Sequence, residues 1–158
     1  MEEPIYLALG TNLGDRRCNL LIARESLPPY VHLKKASSIY ATPPWGYPDQ
    51  PDFLNQVLEV QTALEPIPLL GYLKTIETQV GRKETFRYGP RLIDLDILFY
   101  GNRVINTQEL QIPHPRLHER AFVLVPLNEI APDFIHPILD QSVADLIDEI
   151  DTQGVQPL

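Results

Sequence analysis

Apolar and polar positions divide the chain into segments of alternating character. Residues 5–9 are an unbroken apolar run closed by Gly10, which predicts a buried strand. Asp15 then opens a helical stretch to about residue 27. Leu13, Arg17, Leu20, Leu21 and Leu27 fall at roughly helical spacing there, and Pro28-Pro29 stops it. Val31, Leu33 and Ile39 alternate along a predicted strand over 31–42. Four prolines and one glycine within 43–51 exclude regular structure and leave a constrained loop carrying Trp45 and Tyr47. A strand is predicted over 53–63. Glu65-Pro66 begins a second helix with Leu69, Leu70, Leu73, Ile76 and Val80 on one face, and Gly81 ends it. Residues 82–91 are polar and basic, 93–100 predict a strand, and Gly101-Asn102 turns into a short strand at 104–105. Helical character returns over 122–130 despite Pro126. Ser142 with Asp145 forms a capping-box pattern ahead of a last helix containing Val143, Leu146, Ile147 and Ile150.

The strand–helix–strand–strand–helix–strand order of the first hundred residues predicts an α+β fold. Its expected form is an antiparallel sheet with helices packed on one face, a ferredoxin-like (split βαβ) sandwich. The 158 residues, 44% apolar and 22% charged, suit one domain spanning 1–158, with no internal repeat or linker. Sixteen prolines are about twice the usual share. Thirteen Lys+Arg against twenty-one Asp+Glu give a net charge of −8, which argues against nucleic acid or an anionic membrane as partner. Cys18 is the lone cysteine, so neither an internal disulfide nor a cysteine-based zinc site is available, and its expected role is helix packing. The acidic Met1-Glu2-Glu3-Pro4 start does not resemble a secretory signal, and no apolar stretch approaches the ~20 residues of a membrane span. A cytoplasmic monomer is expected.

The chemistry points to residues 87–98. In a strand, Ile93, Leu95, Ile97 and Phe99 turn one way into a core, while Asp94 and Asp96 share the other face, about 6.6 Å apart along the backbone. Such a pair reads either as a solvated sheet face or as a cation site. Two strand-disfavoured acids among strong strand formers, with Arg82, Lys83, Arg87 and Arg91 just upstream, match a metal–polyphosphate site.

The run from Arg87 to Leu98 resembles the signature of the 6-hydroxymethyl-7,8-dihydropterin pyrophosphokinase family. The resemblance continues in Ala8-Leu9-Gly10-Thr11-Asn12-Leu13-Gly14, Tyr40-Ala41-Thr42-Pro43-Pro44 and Gln50-Pro51-Asp52-Phe53-Leu54-Asn55. It goes on through Val104-Ile105-Asn106-Thr107, Pro113-His114-Pro115 and Arg120-Ala121-Phe122-Val123-Leu124, in the family's order over nearly the whole chain. It implies pyrophosphoryl transfer from ATP to the pterin hydroxymethyl group in folate biosynthesis, with release of AMP. Competing readings are a non-catalytic nucleotide-binding module on the same sheet and a metal-dependent nucleotidyl transferase or nuclease. The second would need a basic track that a charge of −8 speaks against.

By this resemblance Asp94 and Asp96 hold two Mg²⁺ ions, and Arg82 and Arg91 handle phosphate during catalysis. Phe53 and Phe122 sandwich the pterin, Asn55 reads its edge, Thr42 and Pro43 add contacts, and Trp45 and Tyr88 close over the ring. Leu70, Lys74, Glu77, Ile97, Gln111, His114 and Arg120 fall on the ATP side. Trp45, Tyr88, Lys74, Glu109 and Gln111 depart from the family's usual residues. The loops 43–51 and 82–91 are expected to act as lids that exclude water, so ATP hydrolysis without pterin should be slow.

Overall fold

The computed structural model describes residues 3–43, 51–81 and 92–158. β1 (Ile5–Thr11) lies between β5 (Asp94–Tyr100) and β4 (Phe53–Thr62), antiparallel to both. β2 (Val31–Ala36) and β3 (Tyr40–Thr42) follow one another along the far side of β4. The segment read as one strand over 31–42 is thus broken. At the break the Ser37 hydroxyl accepts the Val57 amide (2.9 Å), while Ser38 turns to Glu129. The C-terminal β8 (Gln156–Pro157) pairs with β3.

α1 (Arg16–Glu25) and α2 (Pro66–Val80) connect these strands and cover one face of the sheet. Asp15 caps α1 as expected, accepting the Cys18 amide at 3.1 Å. The packed side of α1 is Asn19, Leu20 and Ala23, whereas Leu21 is half exposed and Cys18 is exposed, so Cys18 does not serve helix packing. Leu33, on the outermost strand, is likewise exposed. The core on this face gathers Ile5, Leu7, Leu9, Leu54, Leu58, Leu73, Ile76, Leu95 and Ile97.

The alternation over 53–60 hides a second core. α3 (Ala121–Ile130) and α4 (Val143–Ile147) cover part of the opposite face, so helices flank the sheet on both sides rather than on one. That core includes Tyr6, Val57, Leu98, Phe99, Leu124 and Leu127. Phe99 therefore does not continue the row of Leu95 and Ile97. Tyr6 pairs with Phe99 and Leu7 with Ile97, leaving Leu98 as an extra residue, and this bulge turns Phe99 to the other face. A small ribbon, β6 (Ile105–Asn106) and β7 (Gln111–Ile112), packs outside β5.

His136 closes the second core at 4% exposure. Its Nδ1 accepts the Ile138 and Leu139 amides (3.1 Å each), and its ring meets Phe99 edge-on. Burial, with a smaller contribution from His118, lowers its pKa from the ordinary value. The unfolded chain thus binds that proton more readily. The stability contributed by neutral His136 is complete above about pH 6.5 and is lost as pH falls through the lower folded value. Thermal melts should show the midpoint falling on acidification from about pH 7.5 to 5.5. His136→Asn, which keeps an acceptor near the Nδ1 position, should flatten that fall; an identical slope would refute the assignment.

Candidate active site

The face left bare by α3 and α4 forms a cleft of about 820 Å³. The sheet register organises its floor. One row of partners runs Asp94, Gly10, Asn55, Tyr40 across β5, β1, β4 and β3, and the next runs Asp96, Ala8, Val57. Asp94 and Asp96 therefore share one face, as predicted, with only Gly10 and Ala8 beside them on β1. At about 4.8 Å per strand, the backbones of Asp94 and Asn55 stand roughly 9.6 Å apart.

Glycine at position 10 leaves room for the Asn55 amide. A Cβ on Gly10 would lie 2.9 Å from the Asn55 Nδ2 atom, closer than real Cβ contacts permit. Asn55 is 9% exposed, and its Oδ1 atom, like the Thr42 hydroxyl, is buried without a hydrogen-bond partner among the described residues. Both line the cleft. Buried polar atoms without partners are costly, and a ligand with a mixed donor–acceptor edge would satisfy them. Phe53 lies two residues before Asn55 on the same face, and Phe122 enters from the first turn of α3; Pro43 also borders the space.

The rest of the lining mixes two arginines, Arg116 and Arg120, with the acids Asp94, Asp96, Glu119 and Asp151. The Arg120 guanidinium lies 5.6 Å from the centroid of the Phe122 ring, and the N-terminal turn of α3 adds the positive end of its dipole. His114 is fixed by two backbone contacts: its amide donates to the Leu98 carbonyl (3.0 Å), and its Nδ1 accepts the Arg116 amide (3.3 Å). In the neutral ring the proton therefore sits on Nε2. Burial lowers the His114 pKa, with Asp96 opposing and Arg120 reinforcing the shift, so the ring acts as a neutral donor near pH 7.

The ATP-side residues divide. His114 and Arg120 line the cleft, whereas Leu70, Lys74, Glu77, Ile97 and Gln111 do not. The first three share one stripe of α2 at helical spacing, beside the outer edge of β5. There Glu77 accepts the Leu95 amide at 2.7 Å and meets Lys74 at 3.3 Å. Ile97 is 3% exposed in the core, so its side chain is not available to a ligand. Gln111 is exposed in the outlying ribbon, as is Glu109 just before it. Arg82, Lys83, Arg91, Trp45 and Tyr88 lie outside the described residues, as do all of the 82–91 loop and most of the 43–51 loop expected to act as lids.

Several lining residues escaped the sequence reading. Arg116, two positions after His114, borders the cleft, and Ile150, Asp151, Gly154 and Val155 form a further wall. Arg116 had a signal in its spacing from His114, while the C-terminal wall had none.

Two carboxylates do not make an all-protein metal cage, and no cluster of three or more His, Cys, Asp or Glu suited to a metal occurs among the described residues. The donor set fits magnesium nonetheless, since that ion takes one or two carboxylates and fills its octahedron with water and phosphate oxygens. Among the described residues no helix is long and apolar enough to cross a membrane.

Comparison with known proteins identifies the chain's family and fold. Residues 6–132 match the family model described as 7,8-dihydro-6-hydroxymethylpterin-pyrophosphokinase (HPPK). The chain is 48% identical over 134 residues to 2-amino-4-hydroxy-6-hydroxymethyldihydropteridine pyrophosphokinase of Aquifex aeolicus, covering 85% of this chain and 84% of that one. It is 43% identical to the folic acid synthesis protein fol1 of Pneumocystis carinii over 99% of this chain but only 21% of that protein. The solved Plasmodium falciparum HPPK-DHPS wild type with pteroate shares the fold, with a TM-score of 0.73 at 19% identity, over 93% of this chain and 42% of that one. The chain belongs to the 7,8-dihydro-6-hydroxymethylpterin pyrophosphokinase family, and its reaction is pyrophosphoryl transfer to hydroxymethyldihydropterin in folate biosynthesis.

Proposed function

We propose that the donor is ATP, that AMP is released, and that Asp94 and Asp96 hold two Mg²⁺ ions against the triphosphate. The single observation supporting this most is the row Asp94–Gly10–Asn55. It sets a paired-acid site and an unsatisfied amide about two strand widths apart on one open face. The pterin would lie in the half bounded by Phe53, Asn55, Thr42, Pro43 and Phe122, with its hydroxymethyl group directed toward the acids. Bound magnesium would polarise phosphoryl oxygens and neutralise charge on the departing AMP.

The residues of the chain supply position and electrostatics. Asn55 and Thr42 orient the ring, Arg120 and Arg116 attract the triphosphate, and His114 donates its Nε2 proton as a hydrogen bond. The pterin oxygen bonds to the β-phosphorus as the bond from that phosphorus to the α,β-bridging oxygen breaks, and the hydroxyl proton is lost to solvent. His114 is not suited as the base, because its Nδ1 lone pair is already engaged by the Arg116 amide. Glu77, Leu70, Lys74 and Gln111 belong to the nucleotide's outer contacts along β5. Arg82 and Arg91 complete the phosphate contacts, and Trp45 and Tyr88 cover the pterin. The protein is proposed to act as a cytoplasmic monomer.

Incubation with Mg²⁺, ATP and 6-hydroxymethyl-7,8-dihydropterin should yield equal amounts of AMP and pterin diphosphate; formation of ADP instead would overturn the reading. Phe122→Ala should weaken pterin binding roughly 10-fold or more, since stacking adds about 0.5–1.5 kcal/mol to the loss of buried area. Unchanged pterin affinity by fluorescence titration would remove Phe122 from the ring site.

A further inference from the structure

The face of the sheet opposite the cleft carries a polar cluster that the reaction does not use directly. Thr11, 2% exposed at the end of β1, directs its hydroxyl to the Leu92 carbonyl oxygen. Asn19, 7% exposed in α1, places Nδ2 at 2.8 Å from the Leu13 carbonyl, 3.2 Å from the Thr11 hydroxyl and 3.3 Å from the Leu92 carbonyl. The Leu92 side chain lies near the Gly14 turn, where a Cβ would come within 3.8 Å of it. Two elements, the end of β1 and the first half of α1, thus converge on one backbone carbonyl at the entry to β5.

Location gives the cluster its meaning. Leu92 stands two residues before Asp94, and the carbonyl that is held leads directly into Ile93, 1% exposed. Thr11 also follows Gly10, the partner of Asp94 in the register. The cluster thus anchors both strands that meet at the acid pair, from the side away from the ligands. A terminal strand pair held by ladder bonds alone frays, and a frayed β5 would let the two carboxylates lose their common aim. Buried polar side chains are expensive unless fully bonded, and a fully bonded network specifies one arrangement.

We infer that Thr11 and Asn19 are positioning residues that hold Asp94 and Asp96 in metal-binding geometry by pinning the Leu92 carbonyl. The inference rests on the magnesium–nucleotide reading above. It concerns the aim of the acids, not the stability of the sheet as a whole.

Two substitutions at Thr11 separate these roles. Thr11→Val keeps the volume and removes the hydroxyl; Thr11→Ser keeps the hydroxyl and removes the methyl. Binding of Mn²⁺ to the intact protein would be measured by electron paramagnetic resonance, in the presence of α,β-methylene-ATP, together with pterin affinity and the thermal midpoint. Groups that orient metal ligands affect affinity by about 10–100-fold. Thr11→Val should weaken Mn²⁺ binding by about tenfold with pterin affinity unchanged, and Thr11→Ser should bind Mn²⁺ as the parent does, even where its melting temperature falls. Should Thr11→Val fail to fold, Asn19→Ala is read by the same titration with the same expectation. Parent-like Mn²⁺ binding in the folded variant that lacks its donor, or equal weakening in Thr11→Ser, would overturn the inference. Asp94→Asn distinguishes the two levels of the argument. If it leaves Mn²⁺ binding intact, the magnesium reading fails; if it abolishes binding while the Thr11 and Asn19 variants bind normally, only the positioning role fails.

Discussion

Asp96→Ala should lower kcat about a thousandfold and leave the fold in place. Three decades correspond to about 4 kcal/mol of transition-state stabilisation, within the several kcal/mol that metal polarisation of a phosphoryl group supplies. The fold should survive because Asp96 is only half buried, faces the small Ala8 across the ladder, and belongs to a residue type that strands disfavour. Removing the carboxylate also removes the charge that supports His114 protonation, so the pKa of that imidazole should fall further. Two measurements decide the outcome. Circular dichroism should overlay the parent's, and single-turnover formation of AMP with saturating Mg²⁺, ATP and pterin should be slowed. A near-parental rate in the folded variant would remove Asp96 from metal binding. Asp94→Ala should behave likewise, since its partner on β1 is Gly10.

Gly10→Ala, the addition of one methyl group, should reduce kcat/KM for pterin by about a hundredfold. The new Cβ would lie 2.9 Å from the Asn55 Nδ2 atom, so either the amide or the strand must move. Asn55 is buried in the middle of the sheet, so its amide can yield only by turning further into the cleft. Any shift would disturb the atom offered to the pterin edge and would alter the gap between that amide and Asp94. Displacements near 1 Å cost about two orders of magnitude in reactions that depend on positioning. The loss should fall on pterin KM and kcat together, with ATP affinity much less affected. Asn55→Ala in the same background should relieve the clash and restore the melting temperature without restoring pterin affinity. Normal pterin kinetics in Gly10→Ala would show that the Asn55 amide plays no part in orienting the ring.

The features legible in the sequence were those produced by neighbours in the chain. Strand geometry alternates side chains every two residues, so Asp94 and Asp96 on one face, and Phe53 with Asn55, could be read from spacing. The stop at Gly81, the Asp15 cap and the Ser142 cap follow from local backbone chemistry in the same way. The family resemblance then attached a reaction to residue types already in order along the chain.

Folding settled what depends on partners distant in the chain. The bulge at Leu98 sent Phe99 into the second core, because strand alternation holds only while each residue has one opposite number on β1. The same registration placed Gly10 between Asp94 and Asn55, residues 39 apart in numbering yet joined by a single strand. Arg116 and the wall from Ile150 to Val155 reached the cleft through chain path, not pattern. A period is a property of one backbone and is written in its own residues. Register, burial of the second face and the shape of the cleft are properties of pairs of backbones, and they exist only once the chain has packed against itself.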